Sequence, residues 1–304
     1  MYIVNTKQNY TYDCLQADIE ALCREYHFLE VFSIGESVCG RKLSCLSFGN
    51  GKRKLFLNGA HHGMEWITSL LLMRMLEEFC HRKQSGTAIG RVDLATVYHN
   101  VSLVICPMVN PDGVELSLRG LSEPLPPLTK TRLLSYNKDS HDFSKWQANI
   151  NGIDLNHNYD ADFDLGVMHQ SRLGIYGPAP TRFSGPHPES EPESKAVADF
   201  TRHFRPDIAV AYHSQGQVIY HDFNGLETEQ SKEIAANMAT ISGYELDQTD
   251  GIASCSGYKD WVIKTFRIPA FTIEVGLGEN PLPLSCFDTI FEDNLRMLLY
   301  LVSI

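Results

Sequence analysis

The chain has 304 residues, of which 43 % are hydrophobic and 21 % charged, the composition of an ordinary globular protein. A formal net charge of −11 argues against nucleic acid or an anionic membrane surface as a non-specific partner. The length allows one large α/β domain or two smaller ones, and a core of that size needs no disulfides.

The elements follow in order. Residues 12–27 carry Leu15, Ile19 and Leu22 at helical spacing. "LEVFSIGES" and "KLSCLSFG" read as strands on either side of a turn at Gly40, and "KRKLFLNGA" as a third strand. From Glu65 to about Arg82, "EWITSLLLMRMLEEFCHR" is a long helix, apolar nearly all round and therefore expected to be buried. "NVSLVICPMVNPDG" is an apolar strand of the central, parallel type that ends in a turn. Residues 120–150, with the proline-rich "GLSEPLPPLTKT", are expected to be an irregular surface excursion. "SGPHPESEPESKAVADFTRHF" turns helical after its start. "DIAVAYHSQGQVIY" is strand, polar turn, strand. "ETEQSKEIAANMATISGY" is an amphipathic helix stopped at Gly243, "PAFTIEVG" another apolar strand, and residues 285–301 a closing helix. No repeat or linker divides the chain. Strands alternating with helices predict one α/β domain over residues 1–304, with its core at about 10–300.

The eight cysteines have no CxxC pair, so reduced thiols are expected rather than a cysteine metal site. No basic region followed by an apolar run opens the sequence, and no apolar stretch spans a bilayer. The expected setting is cytoplasmic, with no membrane partner.

"NGAHHGMEW" places His62 and Glu65 three residues apart where a strand gives way to a helix. An H-x-x-E pair there sets an imidazole and a carboxylate on one face. Both are zinc ligands, and a catalytic zinc needs three protein ligands with one open position. Alone, such a pair is more often a helix cap or a local pairing than a metal site. His213 ends the strand "DIAVAYHS", where ligand sites of α/β sheets form, and is the candidate third donor. Glu274 lies inside the apolar "AFTIEVG". A buried carboxylate there needs a partner or a raised pKa, so it is either half of a buried ion pair or a general base.

"GAHHGMEW", "PMVNPDG", "GIDLNHNY", "AYHS" and "FTIEVG" occur in the order and rough spacing of the zinc carboxypeptidase A family. "GIDLNHNY" and "AYHSQGQVIY" most resemble its bacterial branch that cleaves γ-D-glutamyl–diamino acid bonds in cell-wall peptides. The resemblance covers essentially the whole chain. It implies a mixed, mostly eight-stranded sheet with helices on both faces. It also implies one zinc per chain, held by His62, Glu65 and His213, with Glu274 as general acid and base. Asp154 would orient His62 from behind, and Asn156 would hold a substrate carboxylate. His61 has no role to carry over.

The sequence also departs from that pattern. His157 stands where digestive carboxypeptidases have a carboxylate-clamping arginine, and Met64 where they have another. Gln147 occupies the place of the oxyanion-stabilising arginine, as a neutral candidate donor. The mobile-loop tyrosine aligns near Ile252, with Tyr258 out of register. Arg182 or Arg172 is a candidate replacement for a missing substrate-binding arginine. The expected activity is hydrolysis of a muropeptide at γ-D-Glu–meso-diaminopimelate or γ-D-Glu–Lys. A carboxypeptidase on ordinary peptides and a weakly active zinc protein that binds wall peptides are the alternatives.

Overall fold

The structure is a computed structural model that describes residues 2–248 and 255–304. Eight strands are formed: β1 (Glu30–Glu36), β2 (Lys42–Phe48), β3 (Arg53–Gly59), β4 (Val101–Cys106), β5 (Ile208–His213), β6 (Val218–Tyr220), β7 (Glu245–Asp247) and β8 (Ala270–Glu274). They make one mixed sheet in the order β1-β2-β4-β3-β5-β8-β6-β7. The central strands β4, β3, β5 and β8 run parallel, while β2 and β6 flank them antiparallel. In register, His213 sits opposite Glu274, and Gly59 opposite Tyr212. The carboxyl ends of β3, β5 and β8 therefore meet on one edge, the place where α/β sheets build ligand sites.

Period-two alternation sorts the strand residues between two helical layers. Leu55, Leu57, Val210, Tyr212, Phe271 and Ile273 face one apolar cluster. That side is covered by α1 (Tyr12–Glu25), α2 (Ile67–Ser85), α3 (Leu94–Asn100), α8 (Glu229–Ser242) and α10 (Phe287–Ser303). Phe56, Ala209, Ala211 and Ala270 face the other cluster, with Val197 of α7 (Pro192–Phe204) and Trp261 of α9 (Tyr258–Phe266). Helices thus cover both faces, and small alanines on the second let the bulky aromatics close in.

α2 packs against β3, α3 and α10 and is buried along most of its length, as its all-round apolar pattern predicts. Two expectations are corrected. The 120–150 stretch contains a helix, α5 (Pro127–Tyr136): Pro127 sits at its first position, where no amide hydrogen is needed. The turn expected at "VNPDG" opens α4 (Pro111–Arg119), with Asn110 as N-cap accepting from the Gly113 N–H. Asn, Pro, Asp and Gly serve turns and helix starts alike, which is why composition alone misassigned it. α6 (Phe163–Arg172) and α9 also carry no clear sequence signal. Among the described residues no helix is long and apolar enough to cross a membrane.

Candidate active site and metal centre

The H-x-x-E pair lies on a 3-10 turn, Gly63–Glu65, that precedes α2, not on α2 itself. The tighter winding eclipses residues three apart, and His62 Nδ1 lies 2.8 Å from Glu65 Oε1. The turn is held from outside. The Gly63 and Met64 N–H groups donate to the carbonyls of Gln147 and Trp146. Asn110 Nδ2 donates to the carbonyls of His61, Gln147 and Ala148, joining three segments through one buried amide. Gly63 is needed because its α-carbon lies against α4: a Cβ there would meet the Gly113 carbonyl oxygen at 2.3 Å.

His213, at the end of β5, completes the donor set. Its Nδ1 lies 3.0 Å from Glu65 Oε2. One donor atom each from His62, Glu65 and His213 falls within 4.8 Å of the others. Asp154 backs His62, with Oδ1 3.1 Å from Nε2, which leaves Nδ1 turned toward Glu65. Asp154 is itself pinned: Oδ2 accepts from the Arg182 N–H at 2.7 Å and from the Thr181 hydroxyl.

Three carboxylates, Glu65, Asp154 and Glu274, meet here, and no lysine or arginine side chain pairs with any of them among the described residues. Burial pushes Glu65 up, but His62 and His213 outweigh it and hold the carboxyl down at about 2. Asp154 is likewise raised by burial and brought far below the usual range by His62 and His157. Burial lowers His62, yet Glu65 and Asp154 together raise it well above an ordinary imidazole. Glu274 is pushed well up by burial and then by Glu65, with His62 opposing. An excess of buried negative charge around two imidazoles and a carboxylate, open on one side, is the donor chemistry of a catalytic zinc site.

The open side is a cavity of about 430 Å³. It is lined by His62, Glu65 and Glu274 and by four of the sequence candidates, Gln147, Asn156, His157 and Arg182. Gln147 Oε1 accepts from the Thr181 hydroxyl, which leaves its NH₂ as the free end. Asn156 Oδ1 accepts from the Tyr258 N–H at 3.1 Å, and His157 Nδ1 lies 3.3 Å from the Cys255 carbonyl. The structure thus separates the two arginine candidates, since Arg172 is not among the lining residues. Met64 is buried and does not line the cavity. Tyr258 is buried, its hydroxyl 3.0 Å from that of Thr201, so it stands outside the cavity wall. Ile252 lies outside the described residues.

His61 is fully buried, with Nε2 2.8 Å from the Tyr159 hydroxyl and its ring stacked on that of His213. Burial, with His213 and His62, drives its pKa far down, so it packs behind the site as a neutral ring. Sequence reasoning missed Thr181, Ser214, Tyr220, Lys259, Asp260, Thr272 and Asn280 in the cavity wall. Only "YKDW", two opposite charges inside an apolar run, carried a usable signal.

The His62–Glu65–His213 donor set and a strand-end carboxylate, beside one cavity on this sheet, define a metallopeptidase. The chain belongs to the zinc carboxypeptidase (peptidase M14) family, whose model matches residues 15–297. It is a zinc metallopeptidase. It is 37 % identical over 297 residues to γ-D-glutamyl-L-diamino acid endopeptidase 1 of Lysinibacillus sphaericus, covering 98 % of this chain and 73 % of that one. In fold it is similar to bovine thrombin-activatable fibrinolysis inhibitor, with TM-score 0.75 and 20 % identity over 98 % of this chain and 97 % of that one. It is also similar to the murein-tripeptide amidase of Escherichia coli O157, with TM-score 0.53 and 19 % identity over 90 % and 91 %.

Proposed function

We propose that the protein hydrolyses the amide between a γ-D-glutamyl residue and a diamino acid in peptides derived from the cell wall. The observation that carries this is the combination of an intact His62–Glu65–His213 and Glu274 constellation with His157 in place of a carboxylate-clamping arginine. The hydrolytic parts are kept, while the clamp for an ordinary terminal carboxylate is weakened. A histidine is at most partly charged near neutral pH and does not offer the paired donors of a guanidinium. The likeness to a γ-D-glutamyl-L-diamino acid endopeptidase supports the same reading.

His62, Glu65 and His213 would hold the metal, with Asp154 fixing the His62 ring. When bound, zinc would supply Lewis acidity toward the scissile carbonyl and toward a water. Glu274 accepts a proton from the attacking water and returns it to the departing amine. Its place at the end of β8, opposite His213 and in the cavity wall, suits that exchange. The Gln147 amide donates to the developing oxyanion. Asn156, His157 and Arg182 line the cavity as the groups that bind substrate polar atoms. We place the protein in a reducing, cytoplasmic compartment, a reading supported by eight free cysteines.

The test compares kcat/KM for L-Ala-γ-D-Glu-meso-diaminopimelate with that for peptides ending in Phe or Leu, each with and without a chelator. Chelator-sensitive cleavage at the γ-glutamyl bond, with little release of Phe or Leu, is expected. Efficient release of Phe or Leu without γ-glutamyl cleavage refutes the proposal.

A further inference from the structure

Exposed apolar side chains are concentrated in one stretch of the chain. Of the twelve large hydrophobic side chains exposed among the described residues, four (Leu165, Met168, Leu173 and Tyr176) lie on α6 and the loop after it. Scattered exposure is ordinary, but a cluster beside a cavity marks a binding surface. Tyr176 is the extreme, at 80 % exposure. Its hydroxyl has no hydrogen-bond partner and its ring no aromatic partner among the described residues.

Residues 173–180 form one side of a groove of about 660 Å³, and residues 135–138, at the end of α5, form the other. Gly152 lets the two sides meet: a Cβ there would lie 2.9 Å from Pro178 Cβ and 3.0 Å from Tyr136 Cδ2. The Ala179 N–H donates to the Gly152 carbonyl, and the Pro180 carbonyl accepts from the Gln147 and Ala148 N–H groups. The groove is thereby fastened to the segment that carries Gln147, and Thr181 lines both the groove and the catalytic cavity. Lys138 is the one charged side chain in the groove wall among the described residues. The rest of the wall offers the Tyr136 and Tyr176 rings, the aliphatic Leu173 and Ile175, and polar edges at Ser135 and Asn137. Such a surface suits a neutral ring with an apolar face and a polar rim.

We infer that this groove binds an N-acetylated sugar carried on the amino end of the substrate, so that the enzyme acts on a muramoyl peptide in preference to the free tripeptide. This rests on the proposed γ-D-glutamyl–diamino acid activity. The C–H face of the sugar ring stacks on Tyr176, and its acetyl methyl packs against Leu173 and Ile175. A free ammonium on the terminal alanine finds no carboxylate in this wall and meets Lys138 instead. The γ-glutamyl and alanyl residues together span roughly 10 Å when extended, and the five peptide links from Thr181 back to Tyr176 reach at most about 18 Å. A group beyond the alanine therefore falls within the length of the groove.

The experiment measures kcat/KM of the wild-type zinc enzyme on L-Ala-γ-D-Glu-meso-diaminopimelate carrying at its amino end a free amine, an acetyl group or an N-acetylmuramoyl group. Tyr176→Ala and Tyr176→Phe are measured on the same set; the side chain is exposed, so neither substitution disturbs the core. A stacked ring predicts that the muramoyl peptide is cleaved about fivefold or more efficiently than the acetyl peptide, chiefly through KM. In Tyr176→Ala the two values converge to within about twofold, while Tyr176→Phe keeps the preference. Wild-type cleavage of the muramoyl peptide no better than that of the acetyl peptide, or a preference that survives Tyr176→Ala, overturns the sugar groove while leaving the γ-glutamyl activity standing. Cleavage of none of the three overturns that activity and the groove's role with it.

Discussion

Replacing Asp154 by Asn tests how the metal centre is held. Asp154 Oδ1 lies 3.1 Å from His62 Nε2 and accepts from the Asn156 N–H at 3.2 Å. Oδ2 accepts from the Arg182 N–H at 2.7 Å and from the Thr181 hydroxyl at 3.3 Å. Every partner is a donor. An asparagine keeps one acceptor and must turn its NH₂ toward the other set. Facing His62, it removes the bond that keeps Nδ1 turned toward Glu65; facing Arg182, it opposes the N–H that donates at 2.7 Å. Arg182 has little freedom to yield, since its φ of 64° is already in the left-handed region. Removing a carboxylate behind a zinc histidine lowers affinity by about 10–100-fold, or roughly 1.4–2.7 kcal/mol. The assay is competition for zinc against a calibrated chelator at fixed pH, with a parallel thermal melt of the metal-free protein. Weakened zinc affinity in a folded variant is expected. Affinity within twofold of wild type would show that Asp154 shapes the loop and does not position His62.

Glu274→Gln should keep zinc at one per chain and lose about 10²–10⁴-fold in kcat, measured on the γ-glutamyl substrate; near-normal turnover moves the base elsewhere. His213→Ala should lose stoichiometric zinc by metal analysis, since it removes one of three donors; full occupancy would take His213 out of the set. Glu193 tests the buried acidic layer around Asn149. Burial pushes it up to about 8, against an ordinary 4.5. The folded protein therefore keeps a proton that the unfolded chain loses, so stability from this group is full below pH 4.5, falls as pH rises, and is gone above about 8. Glu193→Gln should gain on wild type progressively from pH 5 to 8, by up to roughly 4 kcal/mol in denaturant unfolding. A pH-independent difference refutes the raised pKa.

Local chemistry was readable without the fold. The apolar runs that became β3, β4, β5 and β8 were continuous because these strands are buried on both faces, and such runs need no partner to be recognised. His62, Glu65, His213 and Glu274 stood out because polar residues at the ends of buried strands are costly unless used. The helices α5, α6 and α9 were hidden for the opposite reason. They are short, at nine or ten residues each, and their starts use the same Pro, Asp and Gly that mark loops.

The sequence by itself nominated the hydrolytic constellation: residue type and strand-end position made His62, Glu65, His213 and Glu274 candidates, and the five ordered motifs gave them their expected roles. Sequence did not place Asn110, Thr181 or the Lys259–Asp260 pair. These act through partners far along the chain: Asn110 through the carbonyls of residues 61, 147 and 148, and Lys259 through the carbonyl of residue 222. Sequence favoured Arg182 over Arg172 without a physical ground; in the structure Asp154 accepts from the Arg182 N–H and Arg182 lines the cavity, while Arg172 does not. Catalytic identity is a property of side-chain chemistry and survives in one dimension. Which groups share the cavity depends on which distant backbones the sheet order brings together, and only folding β8 between β5 and β6 sets Glu274 beside His213 and Thr272 beside Tyr220.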